Sequence, residues 1–163
     1  MHIIFLNPQG NFDALDSHLT EHPDFGGQLI YVKELCMAMA RMGIRVDIIT
    51  RRIDDPDWPE FSAPVDYYPG YEDRLRIVRI DCGGKAFLNK EQLWDHLDEF
   101  VDNALSFYGD ELPDFATGHY ADGGYSCVLI KKKTGIGFTF TGHSLGAQKL
   151  DKLGMNHGNF EEM

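Results

Sequence analysis

Short apolar runs rich in β-branched residues alternate along this chain with segments of helical period, and that alternation restricts it to very few architectures. Residues 2–6 form an apolar run closed by Asn7-Pro8-Gln9-Gly10, the pattern of a buried strand followed by a turn. A polar loop continues through Pro23-Asp24-Phe25-Gly26-Gly27. Residues 28–42 favour helix, with Leu29, Val32, Leu35 and either Cys36 or Met39 on one side. Gly43 stands where a helix C-terminus wants a left-handed residue. Residues 44–50 give a second strand. A strand, a helix and a strand with a short return make a parallel crossover unit.

The pattern persists downstream. Residues 51–74 carry four prolines together with many acids and aromatics. Trp58, Phe61, Tyr67, Tyr68 and Tyr71 want a surface to pack on, so an ordered excursion is expected there. Residues 75–80 read as a third strand. Residues 90–108 read as one long helix, with Leu93, Trp94, Leu97, Phe100, Val101, Ala104, Leu105 and Tyr108 on one face. Asn89 is its expected cap, with Gln92 in the reciprocal position. Residues 114–117 form a short strand, 125–133 a helix, 137–141 a strand, and 145–153 a last helix. The expected fold is a doubly wound α/β domain with a mainly parallel, Rossmann-like sheet.

The chain has 163 residues, enough for one domain with a real core. Its 26 acids against 15 Lys and Arg give a net charge of −11, which argues against nucleic acid as a partner, because a phosphate backbone needs a dense basic face. Phosphate on a small molecule can still be held by local cations and helix N-termini. The start carries no basic leader, and no apolar stretch has membrane-spanning length, so a cytoplasmic protein is expected. Cys36, Cys82 and Cys127 lie far apart and form no metal pattern; they read as buried thiols in a reducing compartment.

Several strings could carry chemistry. Gly26-Gly27-Gln28 opens a helix after a strand, where backbone N–H groups favour an anion, although a plain helix-entry turn looks the same. Lys90 stands at the start of a helix, where its charge opposes the dipole unless an anion binds; a solvated lysine is the alternative. His119-Tyr120-Ala121-Asp122-Gly123-Gly124 follows a strand, the place where open α/β sheets line their ligand crevice, or else it is a tight turn with Asp122 as helix cap. Gly142-His143-Ser144-Leu145-Gly146 fits a nucleophile elbow, with Ser144 as nucleophile. Asp151 and His157 follow too closely to come from the later strand ends that a hydrolase triad uses. His18-Leu19-Thr20-Glu21-His22 spells a zinc-protease string, but Pro23 pushes His22 out of the helical region, and the zinc reading is rejected.

Taken in order, Phe5-Leu6-Asn7-Pro8-Gln9-Gly10-Asn11-Phe12, His22-Pro23-Asp24-Phe25-Gly26-Gly27-Gln28, Asp47-Ile48-Ile49-Thr50-Arg51-Arg52, Thr141-Gly142-His143-Ser144-Leu145-Gly146 and Gln148-Lys149-Leu150 resemble the bacterial sucrose-phosphate synthases. The resemblance runs from Ile4 nearly to the end. It implies a retaining GT-B glycosyltransferase whose paired Rossmann-like domains face a cleft. This chain would be the N-terminal, acceptor-side domain, truncated before its last elements and lacking the C-terminal donor-binding domain. The implied reaction moves glucose from UDP-glucose to fructose 6-phosphate, giving sucrose 6-phosphate and UDP, and the chain alone would be inactive and poorly soluble.

By the same resemblance, Gly27 and Gln28 lie at the cleft near the donor diphosphate and the acceptor. Tyr120 and Ser144 touch the acceptor sugar, and Lys90 and Lys149 hold its phosphate. His143 faces the transferred glucose and is the one catalytic residue carried over. The resemblance implies no protein-bound metal and no tightly bound cofactor, and leaves a role for magnesium open. Gly83-Gly84-Lys85-Ala86-Phe87 departs from the family's usual basic residue in that turn. Sucrose synthase, with free fructose as acceptor, is the nearest alternative; a serine hydrolase using Ser144 and a non-catalytic binding module are the others.

Overall fold

The computed structural model describes residues 1–8, 27–54, 59–84 and 90–141. Among these, the strands are β1 (His2–Leu6), β2 (Arg45–Arg51), β3 (Val65–Tyr67), β4 (Leu75–Ile80), β5 (Phe115–His119) and β6 (Phe138–Thr141). The helices are α1 (Gly27–Arg41), α2 (Lys90–Trp94), α3 (Leu97–Tyr108) and α4 (Tyr120–Thr134), with a single 3-10 turn at Pro59–Phe61. The strands form one sheet in the order β3-β4-β2-β1-β5-β6. All neighbours are parallel except the short edge strand β3, which runs antiparallel to β4. This is the expected α/β, Rossmann-like sheet.

Both faces of the sheet are covered, and β1 shows why its apolar run is unbroken. Ile3 and Phe5 pack on one side with Val32, Cys36 and Ala40 of α1. Ile4 and Leu6 pack on the other with Leu97, Phe100, Val101 and Ala104 of α3 and Cys127 and Ile130 of α4. Side chains alternate between faces along a strand, so a strand buried on both sides must be apolar at every position. The excursion after β2 fills the α1 face, where Phe61 and Tyr68 are fully buried. Tyr67, on β3, is half exposed instead. Trp58 lies outside the described residues.

Helix α1 ends as the sequence requires: Gly43 adopts a φ of +89° and its N–H donates to the Ala40 carbonyl at 3.0 Å. The expected single helix over residues 90–108 is two helices. Asp95 and His96 form a turn between them, with the His96 N–H donating to the Leu93 carbonyl at 2.9 Å. Leu93, Leu97 and Phe100 are all buried across that break. The apolar period therefore runs on through a backbone interruption, which a residue pattern alone does not reveal. Residues 120–134 are helical throughout, so α4 starts five positions earlier than the expected 125.

A buried polar cluster ties the amino ends of the strands together. The Arg76 guanidinium grips Asp47 with Nε to Oδ1 at 2.8 Å and Nη2 to Oδ2 at 2.7 Å. His2 Nε2 lies 2.8 Å from Oδ2, and the Tyr108 hydroxyl donates to the same oxygen at 2.5 Å. Strands β1, β2 and β4 and the end of α3 thus converge on one carboxylate. Burial alone would raise the Asp47 carboxyl. The bonds from His2, Arg76 and Tyr108, with the Arg76 charge, overcome this and hold it well below the usual carboxylate range. Burial, and then the Asp47 charge, push the Tyr108 hydroxyl up. Cys36, Cys82 and Cys127 are free, buried thiols, and burial raises each of them. Among the described residues no helix is long and apolar enough to cross a membrane.

Candidate functional site

The parallel strands end together at Leu6, Arg51, Ile80, His119 and Thr141, forming the carboxyl edge of the sheet. From β1 the chain crosses to β2 on one side. Later it returns to β5 on the other side of β1. That reversal of winding direction makes the carboxyl ends of β1 and β5 a topological switch point, the position where open α/β sheets take their ligands. Helix α1 follows β1 and covers one face; helix α4 follows β5 and covers the other. Their first turns lie on opposite faces of the sheet near that switch point.

The β5–α4 junction is built tightly. A β-carbon on Gly118 would lie 2.5 Å from the Gly123 carbonyl oxygen, and one on Gly123 would run into the Leu6 carbonyl oxygen. Only glycine at both positions lets the first turn of α4 sit against the ends of β1 and β5. Between them lies Tyr120, with φ +68°, the only positive-φ residue other than glycine among those described. An aromatic side chain in the left-handed region is a real departure from backbone preference. Strain of this kind persists where neighbouring structure overdetermines it, and it gathers at functional sites. The residue before it, His119, is fully buried, its ring stacked on Phe5 at 5.4 Å and 10° and tilted against Tyr31 of α1 at 5.7 Å.

The segment after β4 is held in place from two elements. Arg51, buried at the end of β2, donates from Nε to the Cys82 carbonyl at 2.8 Å and from Nη2 to the Gly84 carbonyl at 3.1 Å. The Gly83 N–H donates to Glu99 at 2.5 Å, and the Asn103 amide to the Asp81 carbonyl at 2.7 Å. Side chains of β2 and α3 therefore fix the exit from β4 that leads towards Lys90. Lys90 is the first residue of α2, whose Trp94 stacks on Tyr125 of α4 at 5.2 Å. Helix α2 has five residues, so the dipole conflict expected for Lys90 on a long helix is small.

The chain is 64% identical over 154 residues to a probable sucrose-phosphate synthase of Thermosipho melanesiensis, a match covering 94% of this chain and 36% of that protein. The chain is a homologue of sucrose-phosphate synthases. It is also 37% identical over 139 residues to the mannosylfructose-phosphate synthase of Agrobacterium fabrum, covering 81% of this chain and 29% of that protein. The solved sucrose-phosphate synthase of Thermosynechococcus elongatus superposes with a TM-score of 0.78 at 24% identity, over 93% of this chain and 35% of that one, and so shares its fold. No family model matches the chain. The chain thus spans about a third of the length of the sucrose-phosphate synthase from Thermosipho.

Set against these homologues, the structure brings three of the expected site segments to one edge. Gly27 and Gln28 form the first turn of α1, Lys90 opens α2, and Tyr120 opens α4, each after the carboxyl end of a parallel strand. His143, Ser144 and Lys149 lie outside the described residues, as do Asn89, the proposed cap, His18 to His22, and the helix expected over 145–153. Asp122 is not the cap of α4. The cap position is His119, and Asp122 Oδ1 accepts from the neighbouring Gly123 N–H at 2.9 Å. Among the described residues no cluster of His, Cys, Asp and Glu is arranged to hold a metal ion. Glu99 and Tyr31 escaped the sequence reading, while Arg51 and His119 were named only within longer strings and given no role of their own. A charged residue ending a β-branched strand was the available signal for Arg51; for Tyr31 there was none.

Proposed function

We propose that this chain is the acceptor-side half of a glycosyltransferase of the sucrose-phosphate synthase type. In this reading glucose passes from UDP-glucose to fructose 6-phosphate, and the chain holds the acceptor in the crevice between β1 and β5. The observation that carries the reading is Tyr120. It is a strained residue at the topological switch point, and it stands where the homologous family is expected to touch the acceptor sugar.

The chemistry asked of this chain is binding and orientation. Backbone N–H groups at the start of α1 suit a phosphate or a sugar hydroxyl. Lys90 and Lys149 supply positive charge to the acceptor phosphate in an otherwise acidic protein. Tyr120 and Ser144 contact the sugar. His143, two residues beyond the end of β6, faces the transferred glucose and stabilises charge near the reacting carbon. The leaving diphosphate takes the acceptor proton, so His143 does not act as a base. The donor glucose is the finer part of the proposal, since a homologue named for a mannosyl product also matches the chain.

Calorimetric titration of the chain with fructose 6-phosphate and with fructose tests the choice of acceptor. The phosphorylated sugar binds more tightly by ~10-fold or more, and Lys149→Ala removes most of that difference, as expected for a charge-assisted contact. Equal affinity for the two sugars, unchanged in the variant, would favour a sucrose synthase-like acceptor.

A further inference from the structure

The contacts around His119 reach beyond a packing role. His119 is the last residue of β5 and touches both segments assigned to the site. Its chain neighbour is Tyr120, and its ring meets Tyr31, which stands three positions after Gln28 on α1. That spacing puts Tyr31 one turn beyond the start of α1. The other side of the His119 ring lies flat against Phe5 of β1. Beyond Tyr120 the backbone is held at Gly123 against Leu6 and Gly118.

Tyr120 is therefore clamped from both directions: by rings on the His119 side and by the diglycine approach on the α4 side. We propose that His119 is a positioning residue for acceptor binding, its ring wedged between Phe5 and Tyr31 so that Tyr120 is kept in its left-handed conformation and in register with the first turn of α1. His119 itself does not contact the acceptor. The role is that of an aromatic spacer whose stacking, rather than its proton, does the work. It rests on the reading of Tyr120 as an acceptor contact.

The test is calorimetric titration of the whole chain with fructose 6-phosphate in four forms: wild type, His119→Leu, His119→Phe and Val46→Ala. Val46 is buried at the amino end of β2, away from the crevice, so its truncation is a control for general loss of stability. Two ring contacts correspond to a weakening of ~10-fold in His119→Leu, and His119→Phe, which keeps a ring there, restores affinity to within ~3-fold. Val46→Ala binds as the wild type does. Wild-type-like binding by His119→Leu overturns the inference while leaving the acceptor reading intact. Equal weakening in His119→Leu and Val46→Ala, or no rescue by phenylalanine, overturns it as well. A wild-type chain that does not bind fructose 6-phosphate overturns the acceptor reading and this inference together.

Discussion

Gly118 and Gly123 meet so closely that a β-carbon on the first would lie 2.5 Å from the carbonyl oxygen of the second. The obstacle is backbone, which cannot swing aside as a flexible side chain would. Gly118→Ala must push α4 off the ends of β1 and β5. The variant loses about 1–3 kcal/mol in urea denaturation, the usual cost of overpacking a close-fitted interior. It also weakens fructose 6-phosphate binding, because the displaced turn begins with Tyr120.

Tyr120 separates stability from function. A β-branched residue fits the left-handed region worst and glycine fits it best. Tyr120→Gly is accordingly more stable than Tyr120→Val by about 1–2 kcal/mol in thermal or urea unfolding. Both variants lose the acceptor contact.

Asp47 predicts a pH dependence. Its carboxyl is held below the usual range in the folded chain, so the unfolded chain binds the proton more readily. The stabilisation is complete above the unfolded value of about 4 and is lost as pH falls towards the folded value. Urea denaturation as a function of pH shows stability falling below about pH 4 in the wild type. Asp47→Asn flattens that part of the curve and costs about 1–3 kcal/mol at neutral pH, because half-buried Arg76 is left without its counter-charge. The variant leaves the crevice chemistry alone, since Asp47 lies at the opposite, amino edge of the sheet.

The Gly142-His143-Ser144-Leu145-Gly146 string makes a separate forecast. Under the proposed function Ser144 contacts sugar and needs no base to activate it. A fluorophosphonate probe leaves the chain unlabelled by intact-mass analysis. Clean single labelling at Ser144 would revive the nucleophile reading.

Much of this fold was legible in the residues. A strand buried on both faces announces itself as an apolar run, as residues 3–6 of β1 do, and β4 shows through its β-branched and leucine positions although Arg76 and Arg79 interrupt it. The close of α1 at Gly43 follows from backbone conformation alone. Other features depend on partners distant in sequence. Strand β3 is three residues long, and its pairing with β4 comes from register that no local pattern encodes. The break at Asp95 and His96 is invisible because burial on both sides keeps the same period. The early start of α4, with two glycines in its first turns, defies helix propensity; the close approach to Leu6 and Gly118 overrides it. For the site, Gly27-Gln28, Lys90 and Tyr120 stood out only through the family resemblance, since a helix-entry turn, a solvated lysine or a tight turn explains each of them locally. The Phe5–His119–Tyr31 stack could not be picked out, since it joins three elements far apart along the chain.

The most direct test is a crystal structure of the chain with fructose 6-phosphate. The account predicts the sugar against Tyr120 between the ends of β1 and β5, with its phosphate within reach of Lys90 and Lys149. A ligand bound at the amino edge, or a phosphate turned away from both lysines, would contradict it.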